Sequence, residues 1–186
     1  MKTTVVGSYP IPSWLRQAGT REALRDAVLA VLKTQELAGL DVICDGEISR
    51  FDVNHPDTNG MIDYFLAPLE GIDVHPTRRD IQKFRESEVS GYRREPAAIL
   101  RDTPLGEGQL NLLKDWEFVR DLSERPQKFT VTGPHMLSKV CVDHQYGSPE
   151  ELAMALAEIF REQVAGIDAA VLQVDEANIP GAQQEG

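Results

Sequence analysis

A chain of 186 residues, 41% hydrophobic and 26% charged, has the make-up of one globular domain with a sizeable core. Its formal net charge of −11 excludes a general binder of nucleic acid or of an anionic membrane, while leaving room for an anionic small molecule held by a local arginine cluster. Two cysteines far apart, Cys44 and Cys141, exclude a disulfide framework; with no signal-peptide run at the start and no span of membrane length, the cytoplasm is the expected compartment.

In chain order, residues 3–7 are a β-branched run that stops at Gly7-Ser8 and is broken by Pro10 and Pro12, which predicts a first strand and its loop. Over residues 20–37, Leu24, Val28, Val31 and Leu32 recur at helical spacing behind Thr20 as N-cap. A second strand is expected at 42–44. Residues 48–95 are long, polar and irregular, with a short helix around 61–69; such an insertion sits above an active site or forms a surface excursion. Residues 97–100 predict a weak third strand, 110–123 a helix, and 128–132 a fourth strand ending in Gly133-Pro134. Ser148-Pro149-Glu150-Glu151 has the pattern of a capping box and opens a helix to about 165, which feeds a fifth strand at 169–174.

Alternation of strands and helices implies parallel strands with helical crossovers. Five strands fit an open α/β sheet, or about the first five βα units of a (β/α)8 TIM barrel whose remainder is absent from these residues.

The stretches 38–47 and 165–176 share one outline: Ala-Gly after a helix, an apolar run without alternation, then carboxylates, Asp45 and Glu47 in the first and Asp175 and Glu176 in the second. An apolar run of that kind predicts a strand covered on both faces. Ligands bind at the carboxyl ends of parallel strands. Glu47 and Asp175 are therefore expected to wall one active site with Gly7 and Ser8; the alternative for each acid is a solvated loop.

Taken together, Val6-Gly7-Ser8, Asp45-Gly46-Glu47, Thr132-Gly133-Pro134 and Gln173-Val174-Asp175-Glu176, each at a strand end and in this order, resemble the C-terminal catalytic barrel of the cobalamin-independent methionine synthase family. That family shares a superfamily with uroporphyrinogen decarboxylase. The resemblance covers nearly the whole of residues 1–186. It implies a methyltransferase of methionine biosynthesis that passes a methyl group from a methyl-folate, or another carrier, to the thiol of homocysteine on zinc. It further implies that backbone groups of Val6, Gly7 and Ser8 hold the substrate carboxylate. Glu47 and Asp175, with Glu176 beside them, face its ammonium group, and His55 and His135 are possible substrate contacts.

The departures from the family pattern are equally specific. Its zinc ligands lie on later strands, so no metal site is expected within this chain, and the chain alone is expected to be inactive. A tryptophan that follows Thr-Gly-Pro in the family is replaced here by His135-Met136-Leu137, and Asp175-Glu176 is followed by Ala177 and residues 178–181 in place of a longer segment. These changes leave open a related corrinoid- or thiol-linked methyl or alkyl transferase, a decarboxylase-like reaction, or a non-catalytic binding module that self-associates through an unpaired strand edge.

Other candidates have plainer readings. Cys141, His144 and His135 lack the paired cysteines of structural zinc. Cys44 within a strand reads as a small core residue. The bases Arg78, Arg79, Lys83, Arg85, Arg93 and Arg94 would suit a polyanionic tail or, interleaved with acids, a solvated face.

Overall fold

The computed structural model describes residues 1–86 and 93–177. They divide into two compact units, which are described separately.

The first unit comprises Met1–Gly60, Asn111–Val131 and Gly166–Gln173. It holds α1 (Ser13–Ala18), α2 (Arg21–Leu37) and α5 (Leu112–Arg120), with most of β3 (Lys128–Thr132) and the start of β5 (Val171–Asp175). Helix α2 forms where its local signals place it. The Thr20 hydroxyl accepts the Ala23 N–H at 3.1 Å, and Leu24, Ala27, Val28, Val31 and Leu32 make one buried stripe. Gly39, at φ 77, turns the chain beyond its end.

Behind α2, Ile43 bridges Gln127 in parallel; the Ile43 N–H donates to Pro126 O at 3.0 Å and the Lys128 N–H to Ile43 O at 2.8 Å. Strand β3 is buried along its whole length and pairs with β5. Residues 3–7, expected as a strand, carry no ladder. The segment is attached instead by the Val42 N–H to Thr3 O (3.1 Å), by Thr3 to the Asp41 carboxylate, and by the Lys128 ammonium to Val5 O.

The second unit comprises Met61–Leu110, Thr132–Ala165 and Val174–Gly186. Its helices are α3 (Asp63–Leu66), α4 (Arg78–Arg85), α6 (Pro134–Lys139) and α7 (Pro149–Val164). Its sheet has the order β1 (Ile72–Asp73), β2 (Ala98–Leu100), β4 (Cys141–Asp143). Strands β2 and β4 are parallel, with Ile99 opposite Val142, whereas β1 runs antiparallel to β2. Phe84 from α4 packs with Ile99 and Val142 in a buried cluster. Ser148 caps α7 as expected, accepting the Glu151 N–H at 3.2 Å, and a reciprocal capping box lies at Thr77 and Asp80.

Three further expectations need correction. The strand at 97–100 does not stand between 42–44 and 128–132, because Ile43 reaches Gln127 directly and β2 belongs to the small mixed sheet. The 48–95 region is largely structured: it holds a 3₁₀ turn (Ile48–Arg50), α3, β1 and α4, with residues 87–92 outside the described part. Strand β5 is not covered on both faces. Among the described residues Val171, Leu172 and Val174 are 43%, 43% and 55% exposed, so no packed layer covers both faces of the strand.

Candidate functional site

The site residues expected in the first unit are brought together by the turn after Ile43. Asp45 builds that turn: one carboxylate oxygen accepts the Glu47 N–H at 3.1 Å, and the other accepts both the Ser49 N–H at 3.2 Å and the Ser49 hydroxyl. Gly46 follows at φ 64. A Cβ there would lie 2.6 Å from Tyr9 Cβ and 3.0 Å from Val31, and the Tyr9 N–H donates to Gly46 O at 2.8 Å. Glu47 itself has φ 62, the one positive φ among the described residues other than glycine.

This backbone aims the Glu47 side chain at Ser8 and Arg50. The Ser8 hydroxyl donates to Glu47 Oε2 at 2.6 Å, and Arg50 donates to the same oxygen at 3.1 Å. The Glu47 and Arg50 side chains are 9% and 5% exposed. Among the described residues, Oε1 of Glu47 has no hydrogen bond, and no fully buried side-chain oxygen or nitrogen lacks a partner; Oε1 is therefore not fully buried. The backbone N–H groups of Val6, Gly7 and Ser8 are likewise unbonded within the described residues, on a segment that is exposed throughout. One carboxyl acceptor and three free N–H donors on adjoining segments suit a zwitterion, whose ends need opposite partners.

His55 is placed differently. Its ring lies 2.8 Å from the Asp52 carboxylate and is 77% exposed, so it closes a local loop. Burial pushes the Asp52 carboxyl up, but the hydrogen bonds from His55 and from the Asn54 and His55 N–H groups outweigh it and hold that carboxyl below its ordinary value.

In the second unit, Gly133 donates its N–H to Asp175 O at 2.8 Å. The Asp175 carboxylate makes no hydrogen bond or ion pair among the described residues. Glu176 is engaged: its two oxygens accept the His135 and Met136 N–H groups at 3.0 and 2.9 Å, closing the first turn of α6. His135 thus contributes a backbone donor to Glu176.

The donor set does not fit zinc. Among the described residues, no three of His, Cys, Asp or Glu stand close enough together to share a metal ion. Burial, helped by Asp143, pushes the Cys141 thiol up to about 12, and it donates to Leu137 O at 3.2 Å; a zinc ligand must be a thiolate. Burial pushes Cys44 up as well. His144 sits 3.2 Å from Asp80.

Sequence reasoning missed Arg50 and Lys128, both buried cations. A signal existed for Lys128, a lysine at the first position of the β-branched and aromatic run Phe129-Thr130-Val131-Thr132. Nothing local marked Arg50, because its partners lie at Gly60 and Thr130 as well as Glu47.

Comparison with known proteins agrees along the whole length. A family model described as "Cobalamin-independent synthase, Catalytic domain" matches residues 1–186. The methionine synthase of Sulfolobus acidocaldarius is 29% identical over 196 residues, covering 96% of this chain and 52% of the relative. That of Thermococcus kodakarensis is 30% identical over 192 residues, covering 95% and 52%. The chain thus spans about half the length of the curated relatives it matches. A solved B12-independent methionine synthase from Shewanella sp. W3-18-1, in complex with selenomethionine, has a similar fold, with a TM-score of 0.67 at 23% identity over 94% of this chain and 51% of that one. No described helix is long and apolar enough to cross a membrane. With its α/β fold and a family match over every residue, the chain belongs to the cobalamin-independent synthase catalytic-domain family.

Proposed function

We propose that this chain provides the amino-acid-binding part of a methyltransferase that methylates the thiol of homocysteine, in methionine biosynthesis. The observation that carries the reading is Glu47: Oε2 is held by Ser8 and Arg50, and Oε1 is left to accept an ammonium group. The free N–H groups of Val6, Gly7 and Ser8 then receive the substrate carboxylate. Asp175, whose carboxylate has no protein partner among the described residues, is assigned to amino-acid binding on the strength of the family resemblance alone. The Shewanella relative's complex with selenomethionine supports an amino acid as the ligand class.

In this reading the segments at 42–44, 127–132 and 171–175 take strand positions of a (β/α)8 barrel, with residues 3–7 attached to the first of them through the Val42 N–H and Thr3 O. The methyl donor is a methyl-folate or another carrier. Zinc, when bound in such an enzyme, makes the acceptor thiol a nucleophile; the described residues offer it no ligand set, so none of them is assigned to that step.

Calorimetric titration of the chain with L-homocysteine and L-methionine tests the pocket. Saturable binding, weakened about tenfold or more by Glu47→Gln, is expected from loss of a charge-assisted hydrogen bond. Absence of binding to either amino acid would remove the reading.

A further inference from the structure

Arg50 is a buried charge that the proposed substrate contacts leave unused. Its guanidinium donates to Glu47 Oε2 at 3.1 Å, to Gly60 O at 3.4 Å and to Thr130 O on β3. These partners come from three separate segments: the turn after Ile43, the loop at 51–60 and a buried strand. Desolvating a guanidinium is costly unless several acceptors meet its planar fork of donors. A side chain needed only for packing would be apolar here at less cost.

The direction of the contacts matters more than their number. Ser8 and Arg50 both donate to Oε2. Two donors on one oxygen fix the rotation of the carboxylate and leave Oε1 turned away from both. Glu47 starts from a left-handed backbone, which a side chain of this kind holds only when the surroundings over-determine it.

We propose that Arg50 is a positioning residue. It acts through Glu47, turning Oε1 toward the ammonium group of the amino-acid substrate, and it ties that oxygen to β3 and to the 51–60 loop. The proposal rests on the amino-acid pocket described above and assigns the selectivity of that pocket for an α-amino group to the Arg50–Glu47 pair. Lysine is no equivalent, since a compact point charge cannot reach Glu47, Gly60 and Thr130 together.

The test compares two probes, L-methionine and its des-amino analogue 4-(methylthio)butanoate, titrated against the chain and its Arg50→Gln, Arg50→Lys, Glu47→Gln and Glu47→Gln/Arg50→Gln variants, with a thermal melt of each. The wild type is expected to prefer L-methionine. Arg50→Gln should weaken L-methionine about tenfold while moving the analogue less than about twofold, within the range of uncoupled effects. The double variant should be no weaker than Glu47→Gln alone, because residues that act through one another are not additive. Arg50→Lys should fall between wild type and Arg50→Gln. A structural role would weaken both probes together and add to Glu47→Gln, which would overturn the proposal. If Arg50→Gln does not fold, Arg50→Lys alone and combined with Glu47→Gln supports the same comparison. A wild-type preference that survives in the Arg50 variants overturns the positioning role alone. A wild type that binds neither probe, or does not distinguish them, overturns the pocket and the positioning role with it.

Discussion

At Asp80, 2% exposed, the Thr77 N–H and hydroxyl donate at 2.9 and 2.6 Å, Arg101 donates at 2.9 Å, and the His144 ring lies at 3.2 Å. Burial pushes this carboxyl up, but the hydrogen bonds from Thr77, Arg101 and His144 outweigh it and hold the group well below the usual carboxylate range. Because the folded value lies below the unfolded one of about 3.9, the network's contribution is fully present above roughly pH 4 and is lost as pH falls through the folded value. Asp80→Asn should therefore cost about 1–3 kcal/mol at pH 7, since the carboxylate is buried while its partner Arg101 is 39% exposed. Melts from pH 7 down to pH 3 should show the gap to wild type narrowing; a gap that is constant with pH would count against the network. Asp175 contrasts with it, having no partner to lose among the described residues. Asp175→Asn should lower L-methionine affinity by about ten- to a hundredfold and shift the melting temperature little. Unchanged affinity with a collapsed melt, by calorimetry and scanning calorimetry together, would make Asp175 structural.

Helix α6 depends on a residue from outside itself. It is six residues long and has no side-chain N-cap, since Gly133 precedes it; Glu176 provides the missing acceptor. Gly133 has an ordinary φ of −69, so its need for glycine is steric. A Cβ there would lie 2.0 Å from Glu176 Cδ. Gly133→Ala should expel the Glu176 carboxylate and cost about 1–2 kcal/mol, the usual worth of an N-cap. Glu176→Gln, which keeps an acceptor oxygen, should cost less. Denaturant titration of both variants checks the order, and the reverse order would show that Glu176 serves charge and not geometry. The Asp45-Gly46-Glu47 turn follows the same logic: Gly46→Ala would meet Tyr9 and Val31, and the displaced Glu47 should bind amino acid more weakly.

For the whole chain, β5 is the exposed apolar feature of greatest consequence. Val171, Leu172 and Val174 lie open on a strand whose described partner is β3. An open apolar edge is a template for pairing with another strand. We expect the chain to self-associate through β5 with a second copy, seen as a concentration-dependent sedimentation coefficient. Leu172→Asp should return it toward monomer by placing a charge on that strand. A wild-type monomer at all concentrations would show that the edge is protected.

Much of the fold was legible because its causes are local. Helices α2 and α7 could be read from Thr20 and Ser148 as caps and from the spacing of Leu24, Val28, Leu152 and Leu156. Strand β3 fell on its five predicted residues, and the acids after Ile43 and Val174 could be read as strand-end groups, though their role is a proposal. Helix α4 was passed over because Arg78, Arg79, Lys83 and Arg85 hid the buried Phe84. Strand pairing was not legible: whether Ile43 neighbours residue 99 or residue 127 depends on contacts more than fifty residues apart, which short strands of similar composition cannot specify. By itself the sequence determined where helices begin, where the chain turns and which acids stand at those turns, since caps, glycines and periodicity act within a few residues. Only the tertiary structure decided that Glu47 accepts from Ser8 and Arg50, that Glu176 closes α6, and that β2 and β3 belong to different sheets, because burying a charge or pairing an edge is settled by whatever distant segment can supply the matching donor.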